Sequence, residues 1–223
     1  MTLEARNLTF RYLRRGSPPV LEGVSLTLRS GERVGLSAPS GRGKTTLCRL
    51  LAGWERPGGG QVLLDGRPLS QYRGFCPVQL LLQHPEEAVD PLLKLRTALY
   101  EAGPADRAVL EGLGIQDSWL ERYPAELSGG ELQRICVGRT LRSELKFLLC
   151  DEASAMLDLV TQARLWRFLL DYAQARNLGL LIVSHDAALL ERVCTRVLTW
   201  EDITAPRPAP SCGDSADSSQ GGT

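Results

Sequence analysis

A surplus of charge, paired cysteines and long apolar runs are all missing from this chain of 223 residues. Its 26 basic residues are balanced by 26 acidic ones, so no net field is available to attract nucleic acid or a membrane surface. Six cysteines (Cys48, Cys76, Cys136, Cys150, Cys194 and Cys212) are scattered, with no Cys-x-x-Cys pair among them. That spacing argues against a zinc site or a disulfide framework. It predicts small buried hydrophobes in a reducing compartment. The opening residues MTLEARNLTFRY lack the apolar core of a signal peptide, and no run reaches the ~18 apolar residues that a membrane span needs. Any membrane role is therefore expected to come through a partner. There are no internal repeats. The hydrophobic fraction of 43% and charged fraction of 23% are ordinary for a globular chain, long enough for one sizeable core with a subdomain.

What is present centres on one loop: Ala38, Pro39, Ser40, Gly41, Arg42, Gly43, Lys44, Thr45 and Thr46. An apolar run leads in and an amphipathic run leads out, so the order is strand, small-residue loop, helix. Gly41 and Gly43 let backbone N–H groups turn inward, and the helix that follows adds the positive end of its dipole. Lys44 can reach outer phosphates, and the Thr45 hydroxyl can ligate Mg²⁺. The pattern is G-x-x-x-x-G-K-[ST] with Ala38 in place of its first glycine. A methyl there is expected to force a backbone shift if the position needs φ > 0.

Strands are expected over 3–12, 20–29 and 33–37, the first two forming an antiparallel flank. Further strands are predicted over 61–64, 76–83, 146–150, 178–184 and 196–200, several of them continuously apolar as buried parallel strands are. Between 86 and 144 apolar residues recur at helical spacing, which predicts a helical insertion. Helices are also expected over 131–141, 162–175 and 187–193. From residue 206 the composition turns to Pro, Ser, Gly and Asp, and 206–223 is expected to be a disordered tail.

Three strand ends carry chemistry. The apolar run at 146–150 delivers Asp151 and Glu152, candidates for holding Mg²⁺ and for polarising a water. Gln83 ends the run at 76–83, and its neutral amide can touch Mg²⁺ or water without adding charge. His185 ends the run at 178–184 and can donate to a γ-phosphate. A second anion-binding helix start stands at Ser128, Gly129 and Gly130, where Glu131 also completes a capping box with Ser128.

The phosphate loop, Gln83, the run LSGGELQR (127–134), FLLCDE (147–152), SAMLD (154–158) and His185 occur in the order found in ATP-binding subunits of ABC transporters, and residues 1–200 resemble that family. The resemblance implies an α/β fold with a P-loop NTPase (RecA-like) core, an antiparallel β flank and a helical subdomain. Within an ATPase domain at 1–205, the core takes 1–85 and 145–205 and the subdomain about 86–144. It implies ATP and Mg²⁺ as cofactors, with Lys44, Thr45 and Thr46 on phosphates and metal, Asp151 as the metal acid, Glu152 as catalytic base, and Tyr12 stacked on adenine. It also implies head-to-tail pairing with a second ABC ATPase subunit, a heterodimer being favoured. In that pair Ser128, Gly129 and Gly130 cap the partner's ATP and Asp158 lies at the seam.

The resemblance further implies that Gln83 lies in the loop that couples to two integral permease subunits, that an extracytoplasmic binding protein acts indirectly, that nucleic acid has no part, and that the location is the cytoplasmic face of the inner membrane. The segments QHPEEAVDP (83–91) and DEASAMLDLVTQA (151–163) are similar to importers of nickel, dipeptides and oligopeptides, the nickel-type second ATPase subunit most. An exporter ATPase, or a subunit that binds ATP and leaves hydrolysis to its mate, are the alternatives. Residues 200–203 run straight into Pro206 in place of the family's closing hairpin and extension, which weakens a specific claim for oligopeptide cargo and leaves nickel, another metal chelate or short peptides as the expected cargo.

Overall fold

A computed structural model describes residues 1–12 and 18–204. The expected tail at 206–223, with Cys212, lies outside the described residues.

Alternation of apolar and polar residues builds the first sheet. In β1 (Thr2–Phe10) Leu3, Ala5, Leu8 and Phe10 are buried. β2 (Leu21–Arg29) pairs with β1 antiparallel, Leu3 opposite Leu28 and Ala5 opposite Leu26, so both strands turn the same face to the core. β3 (Arg33–Ser37) leaves this sheet. β4 (Gly59–Leu64) and the two-residue β5 (Arg67–Pro68) complete it, in the order β2-β1-β4-β5.

The second sheet consists of β3, β6 (Val78–Leu81), β7 (Phe147–Asp151), β8 (Gly179–Val183) and β9 (Arg196–Thr199), in the order β6-β7-β8-β3-β9. Every neighbouring pair is parallel. β7 and β8 are buried at all five positions, as expected for strands covered on both faces. The carboxyl ends of β3, β8 and β7 lie side by side, which is where open α/β sheets place their ligand sites.

Seven α-helices are described: α1 (Lys44–Leu51), α2 (Leu95–Tyr100), α3 (Arg107–Gly112), α4 (Gly129–Thr140), α5 (Leu159–Arg176), α6 (Ala187–Val193) and α7 (Trp200–Thr204). α1 is wrapped by one core between the two sheets, formed around Leu36, Leu47, Leu51, Leu64 and Phe147. α5 and α6 cover the other face through Leu165, Trp166, Leu169, Leu190 and Val193. Residues around Leu95, Leu99, Leu110, Trp119 and Ile135 form a third, smaller core within the helical stretch. Arg142 ties that stretch together: buried, it donates to the carbonyls of Leu99 and Pro104.

Several boundaries differ from expectation. β6 stops at Leu81, so Gln83 lies in a loop rather than at a strand end. β1 stops at Phe10, which leaves Tyr12 beyond the strand. β9 ends at Thr199 because the Asp202 carboxylate accepts from the Thr199 amide (2.7 Å) and hydroxyl (2.9 Å), capping a short helix that periodicity does not reveal.

Candidate nucleotide site

α1 begins without a side chain on its first amides. Gly43 is its N-cap in the left-handed region (φ 91°), there is no side-chain capping bond, and the first turn holds no acid. Those N–H groups are left to an external acceptor, and the dipole favours an anion there. Only glycine suits position 43: a Cβ would stand 2.9 Å from Leu21 Cδ2 and 3.0 Å from Val20 Cγ1. Pro39, Ser40, Gly41 and Arg42 form the exposed rim of the loop.

The condition under which the Ala38 methyl would force a shift is not met. The non-glycine residues with positive φ among those described are Asn7, Asp65, Glu152 and Asn177. Ala38 is not one of them, so its methyl strains nothing. It is buried and belongs to the core around Leu36 and Leu47.

Lys44 is also buried. Its Nζ donates to the carbonyl oxygens of Ala38 (2.8 Å) and Pro39 (3.1 Å) and stands 3.9 Å from Glu152 Oε1. Glu152 Oε2 in turn lies 3.2 Å from His185 Nδ1. The helix after β3, the end of β7 and the end of β8 thus meet through one carboxylate between two donors. The Glu152 carboxylate is mostly enclosed at 15% side-chain exposure, whereas His185 stands 70% open to solvent.

Glu152 adopts φ 49°, a conformation that non-glycine residues take reluctantly and that is held by its surroundings. Its amide donates to the Val183 carbonyl (3.0 Å), and its own carbonyl accepts from Ala155 (3.0 Å).

Asp151, the last residue of β7, is buried. Burial is the largest influence on its carboxyl and pushes its pKa up. A hydrogen bond from the Thr45 hydroxyl and the nearby Lys44 pull it down, and Glu152 pushes it up again. A carboxylate raised by desolvation beside a hydroxyl is a hard-oxygen donor set short of positive charge, and it fits a divalent cation such as Mg²⁺. Among the described residues no cluster of three or more His, Cys, Asp and Glu could hold a metal by itself.

The remaining candidates fall into two groups. Tyr12 joins the site: its hydroxyl shares a hydrogen bond with Thr46 (3.1 Å), and its ring meets Phe10 edge-on at 4.9 Å. Gln83 is half-buried, and no side-chain hydrogen bond among the described residues draws it to Asp151 or Glu152. Ser128, Gly129 and Gly130 start α4, away from the phosphate loop in hydrogen bonding. The expected capping box is there: Glu131 accepts from the Ser128 amide (2.8 Å), and Ser128 Oγ accepts from the Glu131 amide (3.4 Å). Asp158 is engaged as the N-cap of α5, accepting from Val160 and Thr161.

The sequence profile described as ABC transporter matches residues 21–155. The Nickel import ATP-binding protein NikE of Escherichia coli (strain K12) is 39% identical over 201 residues, covering 82% of this chain and 75% of that protein. The chain belongs to the ABC transporter family. A second NikE, from Rhodospirillum rubrum, is 34% identical over 96% of this chain and 85% of its own length.

Among solved folds, the dimeric bacterial ABC transporter cassette MJ0796 superposes with a TM-score of 0.76 at 20% identity, over 88% of this chain and 93% of that one. The post-hydrolysis dimer of the same cassette, bound to ADP and Pi, gives 0.77 at 20% identity, over 90% and 94%. The expected P-loop NTPase fold and ABC ATPase assignment therefore hold. An ABC ATPase works as one of a pair of cassettes against membrane permeases. This chain has no described helix long and apolar enough to cross a membrane.

Two structural participants were not legible beforehand. Ser154, buried, accepts from Gln162 Nε2 (2.9 Å) and Trp166 Nε1 (3.0 Å), bracing the segment after Glu152 onto α5. Gln133 lies inside the LSGGELQR run, but its partners are 51 and 20 residues away in sequence, a distance that no local signal spans.

Proposed function

We propose that this chain is the ATP-hydrolysing subunit of an ABC importer of nickel or a nickel chelate, acting at the cytoplasmic face of the inner membrane beside a second, non-identical ATPase subunit. The observation that carries the catalytic reading is the meeting of Lys44, at the start of the helix after β3, with Glu152 and His185 at the ends of β7 and β8. The cargo reading is carried by the relatives named for nickel import.

In this reading the first-turn amides of α1 and the Lys44 ammonium bind the β- and γ-phosphates, and Tyr12 offers its exposed ring to the adenine. Mg²⁺, when bound, neutralises developing charge on the phosphates. Thr45 and Asp151 would hold it, and Gln83, through its neutral amide, would touch the metal or its water. Glu152 takes a proton from a water whose oxygen attacks the γ-phosphorus, while the bond to the bridging oxygen of ADP breaks. His185 orients Glu152 through Nδ1 and donates to the γ-phosphate from its outer face. The second subunit's Ser-Gly-Gly helix start closes the site, as Ser128, Gly129 and Gly130 close the other.

A groove of about 740 Å³ between the β6 side of the sheet and α4, lined by Trp54, Leu82, Pro85, Cys136 and Arg139, is the proposed seat of a permease segment. Its lining includes Leu82 and Pro85, on either side of Gln83, so occupancy of the groove and of the nucleotide site can be sensed by the same loop.

The deciding experiment is Glu152→Gln in the assembled transporter. The variant is expected to retain ATP, accumulate as an ATP-bound dimer and lose turnover by about 10²–10⁴-fold. Turnover at the parent rate refutes Glu152 as base. Nickel uptake that persists in cells carrying only the variant refutes the cargo assignment.

A further inference from the structure

Gln133 is an unusual side chain for a helix interior. It is 2% exposed, on the inner face of α4. Its Nε2 donates to two carbonyl oxygens from separate loops, Leu82 at 3.3 Å and Ala153 at 2.8 Å. Leu82 immediately precedes Gln83, and Ala153 immediately follows Glu152. One primary amide therefore grips both segments from which Gln83 and Glu152 are presented. Its two N–H groups lie in one plane, so together they set the separation of the two carbonyls.

Stability alone is a poor reason for this residue. The Oε1 of the same amide is buried with no partner, a cost that an apolar side chain of similar length does not incur. The benefit is geometric. Glu152 sits at φ 49°, and such a backbone persists only where neighbours over-determine it. Val183 holds the Glu152 amide and Ala155 holds the Glu152 carbonyl. Gln133 pins the next carbonyl. Freed, the Ala153 carbonyl can turn and carry Glu152 away from Lys44 and His185.

We infer that Gln133 is a positioning residue that fixes Glu152 in its working conformation and ties it, with the Gln83 loop, to α4. Because Ser128 and Gly129 start that same helix, a shift of α4 on contact with the second subunit's nucleotide is transmitted directly to Glu152. The inference rests on Glu152 being the base.

The test is Gln133→Met, which keeps length and removes both donors, measured in the full chain assembled with its partner subunits. The expected result is a kcat lower by about 10- to 100-fold, as for a small misplacement of a reacting group, with KM for ATP within about twofold of the parent. In a Glu152→Gln background the same substitution is expected to change residual turnover by less than about twofold, because the residue it positions is already gone. Where Gln133→Met does not fold, Gln133→Asn keeps the amide but draws it back by one methylene, and the same split is expected.

A parent-like kcat with an inactive Glu152→Gln overturns this inference alone, as does an equal loss in both backgrounds or a matching rise in KM. Full turnover by Glu152→Gln alone overturns the base assignment and the inference with it.

Discussion

Ala38 stands where phosphate loops of this pattern begin with glycine, and its environment shows what its methyl meets. Its φ is not positive, so the backbone does not require glycine, and its methyl fills the core beneath the loop. Ala38→Gly is therefore expected to leave kcat and KM for ATP within about twofold while lowering Tm by about 2–4 °C. That shift corresponds to about 1 kcal/mol of lost methyl packing and added backbone entropy. A calorimetric scan and an ATPase titration check both halves, and a several-fold rise in kcat would show that the methyl restrains the loop. The residue that does carry backbone strain is Glu152, at the centre of the proposed chemistry. Sequence reasoning named it but could not see its conformation, because the turn at Ala155 is locked by Val183 on β8 and Gln133 on α4, both distant in sequence.

The start of α4 shows what local chemistry can decide. Ser128 and Glu131 form their capping box as the spacing predicts. The Glu131 carboxyl is held below its ordinary value of 4.5, first by the Ser128 amide and then by the Ser128 hydroxyl. A depressed carboxyl stabilises the fold above its unfolded-state pKa, and that contribution is lost as pH falls through the lower folded-state value. At pH 7 the parent is expected to exceed Glu131→Gln in stability by about 0.3–1 kcal/mol, the range for a charge at a helix start. The difference should shrink as pH falls below 4.5. Denaturant melts at several pH values measure it, and a constant difference would show that the charge is not the origin.

Other element boundaries escape local reading. The apolar run at 76–83 reads as one strand, but β6 pairs with β7 only from Val78 to Leu81, after which the Leu82 carbonyl turns to Gln133. α7 exists because Asp202 reaches back to Thr199 and Trp200 is buried, neither of which periodicity over five residues can express.

At the scale of the whole molecule, the phosphate loop and the Ser128–Gly130 start, the two proposed anion sites, have no hydrogen bond between them among the described residues. This is the arrangement expected of half-sites completed by a second cassette. Gly129 allows a clean test, because a Cβ there meets nothing within 4 Å in its own chain. Gly129→Ala is expected to keep Tm within about 1 °C, since no contact in the subunit is disturbed. It should also lower turnover of the assembled pair by about tenfold or more by crowding the partner's γ-phosphate. Parent-like turnover, or a large fall in Tm, would mean that the helix start works within its own subunit.

The sequence by itself determined the chemistry in stock and the order in which it is strung. The phosphate loop, the acidic pair after an apolar strand, the capped Ser-Gly-Gly start and the parallel-sheet pattern are all local, because each depends on residue types and spacings within a turn or a strand. Only the tertiary structure decided what those groups do to one another. Strand order β7-β8-β3 puts Glu152 between Lys44 and His185, burial raises the Asp151 pKa, the core absorbs the Ala38 methyl, and one buried amide joins the loops at Leu82 and Ala153 to α4. These relations span up to more than a hundred residues and follow from packing, which sequence spacing does not encode.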